Sequence, residues 1–209
     1  MEKEIAKALL GIQAVFLRPE QPFTWASGIK SPIYCDNRLV LAYPLVRNLV
    51  EEGIADLVKK RFPAVQALMG TSTAGIAHAA IAADILGMPM GYVRNSAKDH
   101  GRKNKIEGRV EPGMKVVVIE DLISTGGSCL EVVETLREAG AEVLGVVSIF
   151  TYGLAKSVTA FKAAEVEHHS LTNLDILVDV AVEEEYIAPE WKERILKFRD
   201  NPEDESWIK

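Results

Sequence analysis

The sequence predicts an α/β fold, a central and mostly parallel sheet flanked by helices, with a small N-terminal hood. Three observations predict it. Short, nearly unbroken apolar runs recur at 65–70 (VQALMG), 115–121 (KVVVIED) and 141–150 (AEVLGVVSIF), the pattern of strands buried on both faces. Segments with apolar residues three and four apart lie between them, so β and α alternate along the chain. Residues 18–42 are instead rich in turn formers (RPEQPF, ASGIKSP, CDNR) and read as a hood or hairpin outside the core.

Taken in order, helical spacing covers about 2–17 and then 43–61 (YPLVRNLVEEGIADLVKKR). The strand VQALMG leads into a small-residue helix, TAGIAHAAIAADILG, and MPMGYV (88–93) reads as the next strand. KVVVIED follows as a strand, then a helix over about 127–139 with Gly140 as its stop signal. AEVLGVVSIF is a further buried strand and GLAKSVTAFKAAEVE a further helix. The tail TNLDILVDVAVEEEYIAPEWKERILKF reads as two helices, with Pro189 near the start of the last. His168 and His169 precede a predicted turn and carry no role. His78 lies in an alanine-rich helix without partner spacing and reads as structural.

At 209 residues the chain is long enough for one domain with a substantial core. Its net charge of −6 argues against bulk binding to nucleic acid or anionic membranes, yet leaves room for a local basic cluster that attracts a phosphorylated ligand. Cys35 and Cys129 have neither zinc-ligand nor disulfide-framework spacing and read as reduced thiols. The N-terminus lacks the basic region of a secretory signal, and no apolar run approaches the roughly 18 residues of a membrane span. A cytoplasmic protein is expected.

The chemistry concentrates in VVVIEDLISTGGS, residues 116–128. A strand that ends in Glu120-Asp121 must turn into a helix, and Gly126-Gly127 permit positive φ and close backbone approach. Amides from Ser124 to Ser128 would then face outward at a helix N-terminus, an anion site suited to phosphate. The preceding carboxylates would repel that phosphate, but can accept hydrogen bonds from vicinal hydroxyls or help hold Mg²⁺. Phosphate and diol together describe a ribose 5-phosphate. A Walker loop would need a Lys after the glycines and a dinucleotide fold would need GxGxxG; neither spacing is present. Between the strands near 88–93 and 115–120 lie about twenty residues without period, rich in cations (Arg94, Lys98, Arg102, Lys103, Lys105, Arg109). A segment of that length and charge suits a lid over a pyrophosphate.

VVVIEDLISTGGS resembles the ribose-phosphate signature of the type I phosphoribosyltransferases, which use phosphoribosyl pyrophosphate (PRPP). YVRNSAKDHGRKNKIEG (92–108) resembles the catalytic loop of the orotate phosphoribosyltransferase family, FTWASGIKSPIYCDNR (23–38) its substrate hood, and GTSTAGIAHAA (70–80) its first glycine loop. The likeness implies a type I phosphoribosyltransferase fold, with the hood at about 18–42 and a flexible catalytic lid at about 94–114. It implies transfer of ribose 5-phosphate from PRPP to orotate, giving orotidine 5′-monophosphate and pyrophosphate in UMP biosynthesis. It further implies Lys98, His100 and Asp121 as catalytic residues. PRPP would be bound by Arg94, Lys98, His100, Glu120, Asp121, Leu122, Ile123, Ser124, Thr125, Gly126, Gly127 and Ser128, and orotate by Ser124. Mg²⁺ would arrive mainly through PRPP, with no metal ligands of the protein's own, and a homodimer would share its active sites. A purine phosphoribosyltransferase and a non-enzymatic PRPP-binding regulator are the competing readings. Asn95, Ala26, Thr73-Ala74 and the Thr151-Tyr152 region depart from other branches of the family, so orotate contacts known at those positions do not carry over. Lys30 and Arg38 remain possible contributors to an anionic base site.

Overall fold

The computed structural model describes residues 1–25, 28–94 and 105–208. After α1 (Glu2–Gly11) the hood is built from β1 (Val15–Leu17), β2 (Phe23–Thr24), β3 (Lys30–Ser31), β4 (Ile33–Cys35) and a 3-10 turn, Asn37–Ala42. β1 pairs antiparallel with β4, and β2 with β3. The core then runs α2 (Pro44–Arg61), β5 (Ala67–Thr71), α3 (Ala74–Leu86), β6 (Met90–Val93), β7 (Ile106–Glu107), β8 (Lys115–Ile123), α4 (Gly127–Glu138) and β9 (Glu142–Thr151). It closes with α5 (Ala155–Ala163), β10 (Glu167–Asn173), α6 (Leu174–Glu183) and α7 (Trp191–Asp200). The main sheet has the order β10-β9-β8-β5-β6-β7, parallel throughout except for β7 at its edge.

Alternation along β8 explains why its apolar run is unbroken. Val117 and Ile119 join the core formed with α1, α2, α3, α6 and α7, whereas Val116 and Val118 join the one formed with α4 and α5. Each fully buried aliphatic side chain of this kind contributes about 1.5–3 kcal/mol relative to exposure, so neither face tolerates a polar residue. The chain leaves β5 toward β6 on one side and β8 toward β9 and β10 on the other. The crevice beyond the carboxyl ends of β5 and β8 is therefore the switch point where ligands bind in such sheets.

Four expectations need correction. The first helix stops at Gly11, not 17: Gln13 adopts φ 57 and the chain enters β1, whose buried-intermediate-buried pattern is that of a strand. The helix after β9 stops at Ala163, followed by the left-handed Glu165, and His168 and His169 lie in β10 rather than before a turn. β10 is the sixth strand of the sheet and pairs in parallel with β9. The stretch expected to be a lid at 94–114 contains β7, which pairs with β6 through Tyr92↔Glu107 and Val93↔Ile106. Ile106 also packs on the α4-side core. This end of the segment is thus anchored to the sheet.

The hood is pinned by aromatic rings. Trp207 stands against Phe198, Phe198 against Trp25, and Trp25 against Tyr152 just past β9, with ring centroids 5.6–5.7 Å apart. The C-terminal segment thus clamps the hood beside the carboxyl ends of the strands.

Candidate active site

At the end of β8, Glu120 is only 5% exposed, and Asp121 is half-buried. Thr71 at the end of β5 donates its hydroxyl to Glu120 Oε1 at 2.7 Å, and the Asp121 amide donates to the same oxygen at 3.0 Å. Burial, then the hydrogen-bonded and charged Asp121 carboxyl, push the Glu120 carboxyl up to about 8, while Thr71 opposes the shift. At neutral pH Glu120 therefore holds its proton beside the Asp121 carboxyl. Asn37, fully buried in the hood's 3-10 turn, donates Nδ2 to the Asp121 carbonyl at 2.7 Å. Hood and strand end are fixed to one another across that bond.

Beyond the carboxylates the chain turns through half-buried Ser124 and exposed Thr125 into Gly126, at φ +82. α4 begins at Gly127 without a side-chain cap, so its first amides have no partner within the helix and are available to an anion. Gly126 is demanded twice over: its φ is left-handed, and a Cβ there would stand 2.9 Å from Phe161 Cε2. Gly126→Ala is therefore expected to destabilise the fold by about 1–3 kcal/mol. It should also weaken binding of a phosphorylated ligand, to be checked by thermal unfolding and titration calorimetry. The neighbouring Cys129 thiol is pushed up to about 12 by burial, which makes it an inert packing residue.

On the other flank, Arg94 follows β6. Its amide donates to the Lys105 carbonyl at 2.8 Å, its guanidinium lies 3.2 Å from Glu107, and Lys105 pairs with Glu131 of α4 at 3.1 Å. Arg94, Lys105 and Ser128 line one cavity of about 290 Å³, so a loop cation and the glycine turn meet in a single cleft. That cavity is lined further by Val93, Glu131, Val132 and Thr135, and the Glu120-Asp121 pair lies outside its lining.

The comparisons with known proteins agree with this geometry. The model of the phosphoribosyl transferase domain family matches residues 40–184. An orotate phosphoribosyltransferase of Bacillus subtilis (strain 168) is 57% identical over 209 residues, covering the whole chain and 97% of that protein. The chain belongs to the orotate phosphoribosyltransferase family. A second relative of the same name, from Bacillus cereus (strain G9842), is 55% identical over 208 residues. Among solved structures, orotate phosphoribosyltransferase from Aeropyrum pernix superposes with a TM-score of 0.75 at 26% identity, covering 88% of this chain and 99% of that one. The UMP synthase of Leishmania donovani gives 0.81 at 28% identity, with 94% of this chain matched to 42% of that larger protein.

In this phosphoribosyltransferase the residues expected at the site divide into three groups. Glu120 through Ser128 form one continuous strand end and turn, with Arg94 across the cleft. Lys98 and His100 lie outside the described residues, as do Asn95 and Ala26. Lys30 and Arg38 are engaged within the hood: Lys30 Nζ donates to Thr24 Oγ1 at 2.7 Å, and Arg38 makes a two-pronged contact with Asp36. His78 is buried and meets Glu51 of α2 at 2.5 Å, in keeping with a structural role.

Sequence reasoning missed three contributors. Thr71 and Asn37 are polar residues whose importance depends on partners 49 and 84 positions away. Trp25 belongs to a second cavity of about 370 Å³ which also takes in Ile29, Ser124, Thr125 and Lys156. It lies on the hood side of that cavity, which Ser124 and Thr125 line from the turn.

Proposed function

We infer that the protein transfers ribose 5-phosphate from PRPP to orotate, giving orotidine 5′-monophosphate and pyrophosphate on the way to UMP. The observation that carries the reading is the strand end Glu120-Asp121 running into the uncapped amide turn Ser124–Ser128 at the switch point of the sheet. The amides and hydroxyls of Ser124, Thr125, Gly126, Gly127 and Ser128 receive the 5′-phosphate, with Leu122 and Ile123 as the backbone between phosphate and sugar sites. Asp121 and Glu120 accept the ribose 2′ and 3′ hydroxyls, and their shared negative charge opposes the positive charge that develops at C1′. Arg94, with Lys98 and His100 of the lid, neutralises the departing pyrophosphate. The ring nitrogen of orotate, oriented by Ser124, attacks C1′ with inversion, so no nucleophilic side chain is needed.

Mg²⁺ fits as a companion of PRPP. In that reading PRPP's own pyrophosphate and ribose oxygens would supply most of its ligands. Bound there, it would neutralise charge on the leaving pyrophosphate.

A homodimer with shared sites and a cytoplasmic location belong to the same reading. Supporting the first, Tyr34, Leu39, Tyr43 and Leu45 are exposed within one short stretch, Leu45 at 87%. Apolar exposure of that density suits an isologous interface. Among the described residues no helix is long and apolar enough to cross a membrane.

The test is turnover. Mixing the protein with orotate, PRPP and Mg²⁺ should give the ultraviolet change of base consumption. Turnover with a purine but not with orotate would reassign the base, and no turnover with any base would make the protein a PRPP-binding regulator.

A further inference from the structure

Thr71 is 2% exposed at the carboxyl end of β5. Its Oγ1 lies 2.7 Å from Glu120 Oε1 and 3.3 Å from the Ile119 carbonyl. One hydroxyl proton serves one acceptor well, and the shorter contact, to a carboxyl oxygen, takes it. With the Asp121 amide 3.0 Å away, Oε1 is held by two donors from two adjacent strands. The Glu120 carboxyl is thereby fixed at one oxygen, beside the Asp121 carboxyl.

The surrounding backbone is shaped to that contact. A Cβ on Gly75 would meet both Thr71 Oγ1 and the Ile119 carbonyl at 2.4 Å, and one on Gly70 would meet the Gly75 carbonyl at 2.8 Å. Both glycines are thus required for the loop 70–75 to close over the Thr71 hydroxyl. That loop and the carboxylate pair come from different βα units, and Thr71 is the side chain that joins them.

We propose that Thr71 is a positioning residue for the transfer reaction: its hydroxyl holds the Glu120 carboxyl in the orientation that receives the sugar hydroxyls, and so ties the first glycine loop to the ribose site. The proposal rests on the reading above that Glu120 receives the ribose diol. It concerns the sugar half of the site and leaves recognition of the base untouched.

Thr71→Ser and Thr71→Ala both lose the methyl group and differ by the hydroxyl alone. The alanine variant should lose roughly tenfold in kcat/KM for PRPP, the size expected for one buried hydrogen bond, with KM for orotate within about twofold of wild type. The serine variant should recover most of the loss. Equal values for the two variants, or a rise in KM for orotate as large as that for PRPP, would overturn the proposal. If Thr71→Ala does not fold, Thr71→Val, which keeps the volume, takes its place in the comparison with serine. Calorimetric titration with PRPP alone separates this proposal from the assignment of the reaction: the serine variant should bind PRPP more tightly than the alanine variant even if orotate proves not to be the base.

Discussion

Asp121→Asn is expected to lower kcat by on the order of 10²–10³, the loss typical of removing one preorganised electrostatic contact to a transition state. The substitution keeps size and shape. The Asp121 main chain makes the bond to Asn37 and donates to Glu120, and an asparagine amide can still hydrogen-bond the Glu120 carboxyl, so stability should change by no more than about 1 kcal/mol. Loss of activity without loss of fold is therefore the signature. The same variant tests the shared site. If the lid of one protomer completes the site of its partner, Asp121→Asn and Lys98→Ala place their defects in different halves of each site. Random exchange would then restore about a quarter of the sites, because half the dimers are mixed and each has one intact site. Steady-state rates before and after proven subunit exchange read this directly. No recovery would mean that each protomer works alone.

Glu120→Gln is expected to do the opposite to stability. Glu120 titrates near 8 in the fold because it is buried beside Asp121, against an ordinary value of 4.5. Between those values the native state binds a proton that the unfolded chain releases. The contribution of this group to stability is therefore full below about 4.5 and is lost as pH rises toward 8. Glutamine carries no such titration. The variant should be more stable than wild type at pH 8, by about 2 kcal/mol or several degrees in Tm, and the advantage should vanish near pH 4. Its affinity for PRPP should fall at the same time, since the Glu120 carboxyl is the proposed acceptor for a ribose hydroxyl. Thermal unfolding of both proteins across that pH range checks the sign. A wild-type protein as stable as the variant at pH 8 would show that the site is not strained by its buried acid.

Much of this was legible in the sequence because β8 and its turn obey local rules. Four consecutive apolar residues, Val116 to Ile119, face two cores at once, and Gly126 must be left-handed where the strand becomes a helix. α2 was equally clear, with Pro44 at its first turn and three basic residues in its last. The failures arose where the local signal serves two structures. In GIQAVFL the apolar residues satisfy helical and strand spacing alike, and only the left-handed Gln13 decides. EHHSLTN has too few apolar residues to read as a strand; β10 forms because β9 offers it a paired edge. Thr71 and Asn37 look like ordinary loop-end polar residues until the fold brings Glu120 and Asp121 against them. Clusters that depend on tertiary approach leave no spacing to find.

The central claim is a division of labour within EDLISTGGS, carboxylates for the sugar diol and amides for its phosphate. A crystal structure of the protein with orotidine 5′-monophosphate measures it most directly. The account predicts the 5′-phosphate on the amides of Thr125 to Ser128, and the 2′ and 3′ hydroxyls within hydrogen-bond distance of Asp121 and Glu120. A phosphate bound elsewhere, or a ribose turned away from both carboxylates, would contradict it.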